Sequence, residues 1–425
     1  MPLGRTLEKL YSRRRFGIRP GVERVHTLLD RLGNPERTFR NIHIVGTNGK
    51  GSTSAFLAGI LAASGLRTAL FTSPHLVSFT ERFRIDGREV SEQRLEPLLA
   101  AVLAAAPAEA TFFEIVTGLA ALYFSEERVD IAVMEAGMGG RSDATAALPG
   151  TMTVITPISL DHGDYLGNSL EQIATEKAGI AKPGTPVIIG RQPAEVQSAI
   201  AGCLHPANPQ LIWADRAFSS RWNSDGTLDY TGIDTTLERI SPGIPGRYQA
   251  GNAALALAAA EVLAARGVSL PESALRGGIS AAWWPGRMET VPGSPPLLLD
   301  GAHNPAGARA LAEALGDYRY RKLLLVVGTM ADKDAGDIVS VLAPLAATCY
   351  CVSPAIDRAH NDANLAAIIT ALGIPARACG SVASGIQSAQ SDAEDGDLIL
   401  VCGSLFTVGE AKAWLAGAEF DGIRG

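Results

Sequence analysis

Residues 42–53 read Ile42-His-Ile-Val-Gly-Thr-Asn-Gly-Lys-Gly-Ser-Thr53, an apolar stretch followed by a glycine-rich turn and a helix-forming segment. In this context backbone N–H groups and a helix dipole hold phosphate oxygens. Lys50 supplies a positive charge, and the hydroxyl of Ser52 or Thr53 can face a magnesium ion. The usual GxxxxGK[ST] pattern is modified, because Ile44 replaces its first glycine and Gly51 separates Lys50 from Ser52. The stretch predicts a nucleotide-binding parallel sheet.

Short apolar runs alternate with helical stretches on both sides of this loop. The strand candidates in this part of the chain are residues 41–45, 68–71, 130–134, 151–156 and 186–189. Such alternation is typical of a mostly parallel sheet with helices on both faces. Residues 211–240 contain Trp, Tyr and Thr around an Asn-Ser-Asp-Gly turn, and they predict a small antiparallel element instead.

The densest cluster of Pro, Gly and Ser, at residues 285–296, predicts a linker between two domains. Residues 1–284 would form a P-loop ATPase-like α/β domain that includes the antiparallel element. Residues 297–425 resume the alternation and predict a smaller Rossmann-like α/β domain. Its strand candidates are residues 297–300, 322–327, 347–352 and 398–401.

The composition excludes several classes of partner. Among the 425 residues, 37 Lys and Arg against 44 Asp and Glu give a net charge of −7, which argues against binding to nucleic acid or anionic membranes. Five scattered cysteines without metal-site spacing indicate a reducing compartment. No apolar run is long enough for a membrane span, and the first residues lack the apolar core of a signal peptide, so we expect a cytoplasmic protein with small-molecule partners.

Three polar residues follow apolar strand candidates, at the sheet edge where ligands bind. They are Ser73, Glu135 and His162, a set that suits magnesium held together with nucleotide phosphates. Two of them also have a purely structural interpretation, since Glu135 could cap the following glycine-rich turn and His162 could be an ordinary turn residue.

Two further positions are ambiguous from the sequence. Lys177 lies in a helical stretch, where its simplest interpretation is an exposed lysine paired with Glu176 or Glu171. Asp300 and His303 follow the first strand candidate of the second domain, so a two-domain enzyme could bring them to a nucleotide on the first domain.

The chain resembles the folylpolyglutamate synthase/dihydrofolate synthase family of the Mur-ligase superfamily over nearly its full length. The motifs that carry the resemblance are Gly46-Thr-Asn-Gly-Lys-Gly-Ser52, Thr72-Ser-Pro-His-Leu76, Met134-Glu-Ala-Gly-Met-Gly-Gly-Arg141, Leu160-Asp-His162, Glu176-Lys-Ala-Gly-Ile180, Trp284-Pro-Gly-Arg-Met-Glu289, Asp300-Gly-Ala-His-Asn-Pro305, Ala331-Asp-Lys-Asp334 and Gly403-Ser-Leu405. The inserted Gly51 is itself a mark of this family.

The resemblance implies ATP and magnesium at two sites, and it leaves open a monovalent cation such as K⁺. The implied ATP-binding residues are Gly49, Lys50, Gly51, Ser52, Asn252, Arg287 and Asp300, and the implied magnesium ligands are Ser73, Glu135 and His162. Lys177 would be carbamylated, contrary to its interpretation as a surface lysine. The expected catalytic residues are Lys50, Lys177, Asp300 and His303.

The resemblance also implies a pterin pocket built from three segments. Its residues are Gly21, Val22, Glu23, Arg24, Thr111, Phe112, Phe113, Glu114, Ser142, Asp143 and Ala144. From the sequence alone, Phe112 and Phe113 would be core aromatics. One departure concerns this pocket, because Ala146 stands where the family commonly has Asn.

The implied reaction is ATP-dependent amide formation between L-glutamate and dihydropteroate or the glutamate tail of tetrahydrofolate, through an acyl phosphate. A bifunctional, monomeric enzyme is the preferred interpretation. The alternatives are a folylpolyglutamate synthase with one activity, a Mur-type ligase acting on a UDP-linked peptidoglycan precursor, and a nucleotide-dependent switch. About 40 residues precede the first strand, too few for an ordinary UDP-binding domain, and a switch would not need Asp300 and His303.

Overall fold

The computed structural model describes residues 2–13, 17, 21–161, 163–207, 209–331, 335–418 and 420. Two mainly parallel sheets dominate it, one from residues 40–213 and the other from residues 289–402. This arrangement confirms the predicted α/β class.

The larger sheet has eight strands. They are β1 (Arg40–Val45), β2 (Thr68–Phe71), β3 (Phe83–Ile85), β4 (Arg88–Glu89), β5 (Ile131–Glu135), β6 (Gly150–Ile155), β7 (Val187–Ile189) and β8 (Leu211–Trp213). In the order β4-β3-β2-β5-β1-β6-β7-β8, the pairs β2-β3 and β3-β4 are antiparallel and all other neighbouring pairs are parallel. Every residue of β1 after Arg40 is buried, as expected of a central strand covered on both faces.

Helices cover both faces of this sheet. They are α1 (Pro2–Tyr11), α2 (Glu23–Arg31), α3 (Lys50–Ala63), α4 (Glu92–Ala105), α5 (Phe112–Glu126), α6 (Gly163–Leu166), α7 (Leu170–Ala178), α8 (Ala194–Leu204), α9 (Gln249–Ala265) and α10 (Glu272–Ala281). Helices α3 and α10 pack closely, since a Cβ on Gly59 would lie 2.6 Å from the carbonyl oxygen of Gly278. Among the helices that the structure describes, none has the length and apolar composition that a membrane crossing requires.

A small antiparallel sheet follows the larger one. It contains β9 (Ser219–Trp222), β10 (Leu228–Thr231) and β11 (Thr236–Ile240), which confirms the predicted antiparallel element for this part of residues 211–240. The prediction is wrong for Leu211–Trp213, because this segment pairs in parallel with β7 and extends the larger sheet.

The second sheet has six strands, all parallel to their neighbours except the first. Its strands, in chain order, are β12 (Glu289–Val291), β13 (Leu297–Leu299), β14 (Leu323–Val327), β15 (Thr348–Cys351), β16 (Ala376–Ala378) and β17 (Leu398–Cys402). The helices are α11 (Pro305–Leu315), α12 (Ala335–Leu342), α13 (Asp362–Ala371), α14 (Val382–Asp392) and α15 (Leu405–Leu415). The predicted linker is wrong in part, since Glu289–Val291 pairs with β13 as an antiparallel edge strand.

Candidate active site

The phosphate-loop segment joins the end of β1 to the start of α3. Gly49, with a φ of 87°, is the N-cap residue of α3, and Lys50 is the first residue of that helix. The Nζ of Lys50 donates to the Thr47 carbonyl at 3.1 Å, and the N–H groups of Thr47 and Asn48 donate to the Pro157 carbonyl. The loop is therefore fixed against the segment after β6, with an anion-attracting helix N-terminus at its end.

Two distant side chains contact the glycines of this loop so closely that a Cβ would not fit. A Cβ on Gly49 would lie 2.3 Å from Oδ1 of Asn252, and one on Gly51 would lie 2.6 Å from Nε1 of Trp284. The structure thus brings Asn252 to the loop. It also places Trp284 there, a residue that the sequence analysis names only as the start of a family motif and to which it assigns no role.

Ser73 and Glu135, two of the predicted magnesium ligands, meet beside the loop. The N–H of Ser73 donates to Oε2 of Glu135 at 3.2 Å, and both residues line a cavity of about 40 Å³ with Gly51, Arg84 and Arg287. Burial raises the pKa of Glu135 to about 7, although nearby positive charges act in the opposite direction. A buried carboxylate beside a serine residue offers the kind of oxygen donors that a hard divalent cation prefers.

His162, the third predicted ligand, lies outside the described residues. Within the described ranges, no group of three His, Cys, Asp or Glu side chains is placed to hold a metal ion. Of the three predicted ligands, Ser73 and Glu135 are therefore the pair that the described structure brings together.

Lys177 is buried, with 4 % of its surface exposed. From α7, its Nζ donates to the Gly46 carbonyl of the phosphate loop at 2.9 Å. Burial first, and then the charge of Lys50, lower the pKa of Lys177 to about 7. The interpretation as an exposed lysine paired with a neighbouring glutamate is wrong, because α7 turns this face toward the loop.

Asp300 follows β13 and is held by three donors. Its Oδ2 accepts from the Tyr248 hydroxyl and from the N–H of Met288, both at 3.0 Å. Its Oδ1 accepts from the N–H of Ala302 at 2.9 Å. The carboxylate is thus fixed at the point where the second sheet faces the phosphate loop.

His303 lies on the same turn and faces the larger sheet. Its Nδ1 lies 2.8 Å from the carbonyl oxygen of Gly301, and its Nε2 lies 3.8 Å from Oδ2 of Asp161. If Nδ1 carries the proton of the neutral ring, Nε2 is the basic nitrogen. Arg287 borders this turn, because a Cβ on Gly301 would lie 2.1 Å from its Nη1.

The first two predicted pterin segments, residues 21–24 and 111–114, contact each other through an ion pair. Nη2 of Arg24 donates to Oε1 of Glu114 at 2.7 Å, and Nε donates to Oε2 at 3.1 Å. The same Oε2 accepts from the N–H of Thr111 at 2.8 Å, which completes a capping box at the start of α5.

Phe112 is buried in the core, and Phe113 is partly buried and packs against the same apolar cluster. Phe112 stacks on Tyr11 with ring centroids 6.0 Å apart. Phe113 packs against Gly137, where a Cβ would lie 2.5 Å from the Phe113 Cζ. Their role toward a pterin stays a prediction.

The third predicted pterin segment, residues 142–144, is held by local hydrogen bonds. Oδ2 of Asp143 accepts from the N–H of Met138 at 2.9 Å, and Oε1 of Glu176 accepts from the N–H of Ser142 at 2.9 Å. The short 3₁₀ helix Ala144–Ala147 contacts both α2 and α5, so the three segments lie together.

Ala146, which replaces the common Asn, is buried in that 3₁₀ helix. Its side chain joins the same apolar cluster as Ile155 and Ile180. Its carbonyl accepts from Nζ of Lys182 at 2.6 Å. An apolar methyl group therefore occupies this position in place of an amide side chain.

A larger cavity, of about 370 Å³, lies at the carboxyl ends of β6, β7 and β8. Pro157, Gly190 and Ala214 from the strand ends line it, together with Tyr248 and Asn252. Open parallel sheets bind ligands at this edge. Since Asn252 also contacts the phosphate loop, the cavity lies directly beside the loop.

Sequence reasoning missed some residues of the site. Tyr248, which binds Asp300, carries no motif signal. Asn48 and Asn304 each lie inside a quoted motif, but their contact joins positions 256 residues apart and no local pattern predicts it.

Comparison with known families gives two matches. Residues 44–260 match the Mur ligase middle domain, and residues 286–405 match the Mur ligase glutamate ligase domain. The first match contains the phosphate loop, Ser73, Glu135 and Lys177, and the second contains Asp300 and His303.

Named relatives are similar over most of this chain. The chain is 35 % identical over 422 residues to the probable bifunctional folylpolyglutamate synthase/dihydropteroate synthase of Haloferax volcanii, which covers 95 % of this chain and 49 % of that protein. It is 35 % identical over 408 residues to the dihydrofolate synthase/folylpolyglutamate synthase of Escherichia coli, and this match covers 95 % of this chain and 92 % of that protein. The chain thus spans about half the length of the archaeal relative and most of the bacterial one.

Solved structures confirm the fold. Folylpolyglutamate synthase of Mycobacterium tuberculosis complexed with ADP matches with a TM-score of 0.91 and 34 % identity, over 99 % of each chain. Bifunctional folylpolyglutamate synthase/dihydrofolate synthase of Yersinia pestis, complexed with AMPPNP and Mn ion, matches with a TM-score of 0.89 and 34 % identity, over 98 % of each chain.

Proposed function

Since the chain belongs to the folylpolyglutamate synthase/dihydrofolate synthase family of Mur-type ligases, we propose that it joins L-glutamate to dihydropteroate and to the glutamate tail of tetrahydrofolate at the expense of ATP. The observation that carries the proposal is one site built from two sheets. The buried Glu135 and Lys177 lie at the phosphate loop. The turn with Asp300 and His303 reaches the same sheet edge, where His303 faces Asp161 and Asn304 contacts Asn48.

ATP would occupy the loop and the cavity beside it. Its phosphates would bind Gly49, Lys50, Gly51 and Ser52, at the start of α3. The nucleoside would lie in the cavity of about 370 Å³ that Asn252 borders. Arg287 and Asp300 would complete the site from the C-terminal side, in line with the ADP and AMPPNP of the two similar structures.

The proposed chemistry activates a carboxylate, which is a poor electrophile in water. An oxygen of the folate or pteroate carboxylate attacks the γ-phosphorus of ATP, the bond to the bridging oxygen breaks, and ADP leaves. The amine of glutamate then attacks the acyl carbon, phosphate leaves with the carbon–oxygen bond, and the amine loses a proton. Lys50 and Arg287 would stabilise the charge on the transferred group.

His303 is the proposed acceptor of that proton. Its Nε2 is the basic nitrogen when Nδ1–H donates to Gly301, and Asp161, 3.8 Å away, would stabilise the charged ring. The carboxylate of Asp300 already accepts from three protein donors, so we assign it to orienting this turn and the nucleotide.

Ser73, Glu135 and His162 would hold magnesium, which when bound screens the phosphate charge against the attacking carboxylate. The raised pKa of Glu135 fits this role, because burial disfavours the charged carboxylate and a bound cation would stabilise it. Lys177, buried and with a lowered pKa, has the neutral amine that carbamylation by CO₂ requires. The resulting carbamate would offer oxygens for a second divalent ion, and K⁺ remains an optional third ion.

The pterin would bind where residues 21–24, 111–114 and 142–144 meet. We further propose a cytoplasmic monomer acting on small molecules, which agrees with five free cysteines and the net charge of −7. A bifunctional enzyme is favoured because all three pterin segments are in contact.

The test is product identification by mass spectrometry after incubation with ATP, magnesium and L-glutamate. Dihydropteroate should yield dihydrofolate, and tetrahydrofolate should yield its diglutamate. The proposal predicts both products, and neither with Lys50→Ala. Elongation of tetrahydrofolate alone would assign a monofunctional folylpolyglutamate synthase. Amino-acid addition to a UDP-linked peptidoglycan precursor alone would move the chain to the other Mur-type ligases.

A further inference from the structure

Arg84 is a buried arginine beside the candidate metal ligands, and the proposed mechanism gives it no role. It lies on β3, opposite Glu89 of β4, and is 5 % exposed. Its side chain lines the cavity of about 40 Å³ together with Gly51, Ser73 and Glu135. The phosphate loop and the candidate metal ligands thus share one small space with this guanidinium.

The hydrogen bonds of Arg84 are incomplete. Nη2 donates to Oε1 of Glu89 at 3.1 Å, but the Glu89 side chain is 40 % exposed. The buried Nε has no hydrogen-bond partner in the part of the chain that the structure describes. A buried donor without a partner is unfavourable, so we expect a bound ligand to supply the acceptor.

Two tryptophans hold the guanidinium in place. Its Cζ lies 5.4 Å from the ring centroid of Trp284 and 5.8 Å from that of Trp283. Trp284 in turn contacts the phosphate loop at Gly51. These cation–π contacts restrain a guanidinium whose planar fork suits bidentate oxyanions.

The charges of the cavity favour an anion bound near Arg84. Arg84 and Arg287 are its cations, and Glu81 and Glu135 are its carboxylates. The oxygens of Glu81 already accept from the N–H groups of Leu76, Val77 and Ser78. The proposed magnesium would neutralise Glu135, so a ligand carrying oxyanion charge would complete the site.

We propose that Arg84 binds an oxyanion of the reacting groups, and specifically the phosphoryl group that passes from ATP to the substrate carboxylate. The phosphoryl group is favoured over a carboxylate of glutamate because Gly51, Ser73 and Glu135 line the same cavity. The inference rests on the proposed function and adds a phosphoryl-binding residue to it.

The test uses inorganic phosphate as a probe of the protein loaded with ADP and Mn²⁺, with binding followed by calorimetry. Arg84→Gln should weaken phosphate binding roughly ten- to a hundredfold, as expected for loss of a charged hydrogen bond, and leave the Kd of ADP unchanged. Arg84→Lys keeps the charge but not the planar fork, so its affinity for phosphate should lie between those of the parent protein and Arg84→Gln. Phosphate binding does not depend on which acid the enzyme ligates, so it separates this inference from the folate assignment.

Controls separate binding from a structural role. Arg88→Gln changes an exposed arginine of the same hairpin, and Glu89→Gln removes the ion-pair partner of Arg84. Both should bind phosphate like the parent protein. Unchanged phosphate binding in Arg84→Gln and Arg84→Lys would overturn the inference, and so would an equal loss in Glu89→Gln. A raised KM for glutamate with normal phosphate binding would also overturn it, in favour of the glutamate carboxylate.

Discussion

Asn48 of the phosphate loop and Asn304 at the start of α11 hold each other through their side-chain amides. Nδ2 of Asn304 lies 3.0 Å from Oδ1 of Asn48, and Nδ2 of Asn48 lies 3.3 Å from Oδ1 of Asn304. Asn304 follows His303 directly, so the pair ties the loop to the turn that carries the proposed base. Oδ1 of Asn304 also caps α11, because it accepts from the N–H of Gly307 at 2.8 Å.

Replacing Asn304 should therefore separate the effect of its contact with Asn48 from the effect of its N-cap hydrogen bond to Gly307. Asn304→Asp keeps an N-cap acceptor but loses the donor to Asn48, and we expect a several-fold lower kcat/KM with a nearly unchanged free energy of unfolding. Asn304→Ala should lose activity and also about 1 kcal/mol of stability, because the cap is gone. Steady-state kinetics and urea unfolding measure the two effects. Normal kcat/KM in both variants would contradict a coupling role.

Glu135 should make metal binding depend on pH. Because its pKa is about 7, the carboxyl group is mostly protonated at lower pH, and a metal ion must displace that proton. The Kd for Mn²⁺ should rise by up to about tenfold for each pH unit below that pKa. Titration followed by electron paramagnetic resonance measures it. Glu135→Gln should bind weakly at every pH, and a flat profile in the parent protein would contradict the assignment.

Lys177→Ala should abolish activity, and high bicarbonate should not restore it. The pKa of about 7 leaves the amine of the parent protein mostly neutral at higher pH, where carbamylation is possible, and protonated at lower pH, where it is not. Carbon-13 NMR with labelled bicarbonate should show a carbamate signal that fades as the pH falls. Lys322→Ala, at an exposed position, should keep both signal and activity. A fully active Lys177→Ala would contradict the assignment.

Gly51→Ala should displace Trp284 from the phosphate loop. The new Cβ would lie 2.6 Å from Nε1 of the indole, closer than the two atoms can approach. We expect a loss of activity of at least about tenfold, by analogy with other small misplacements at active sites, and a changed tryptophan emission. Gly277→Ala is the matched control, because beyond the backbone of its own helix and its chain neighbours nothing lies within 4 Å of its added Cβ. Parent-like activity in Gly51→Ala would show that the contact is dispensable.

The central strands were predictable because each is a short apolar run buried on both faces. Thr68–Phe71 has the predicted bounds, and Arg40–Val45 begins one residue before the prediction. The hairpin of Phe83–Ile85 and Arg88–Glu89 was not predicted, because Arg84 interrupts its apolar pattern. The side chain of Arg84 is buried by tryptophans some 200 positions away, which no local pattern encodes.

The candidate site was predictable where a motif joins a strand end to a turn. Glu135 and Asp300 both lie where their apolar strands end, as expected of sheets that bind ligands at their carboxyl edge. Lys177 could not be placed from its own helix, because its burial depends on packing beneath Gly46. The family resemblance identified it, whereas helical periodicity alone favoured a surface position.

The most direct test of the proposed function measures ADP release by the purified protein with ATP, magnesium and L-glutamate. Dihydropteroate is added in one reaction and tetrahydrofolate in another, and Lys50→Ala is the inactive control. A bifunctional ligase predicts stimulation by both acceptors, each dependent on glutamate. No stimulation by either acceptor, in folded protein that binds ATP, would contradict the folate assignment.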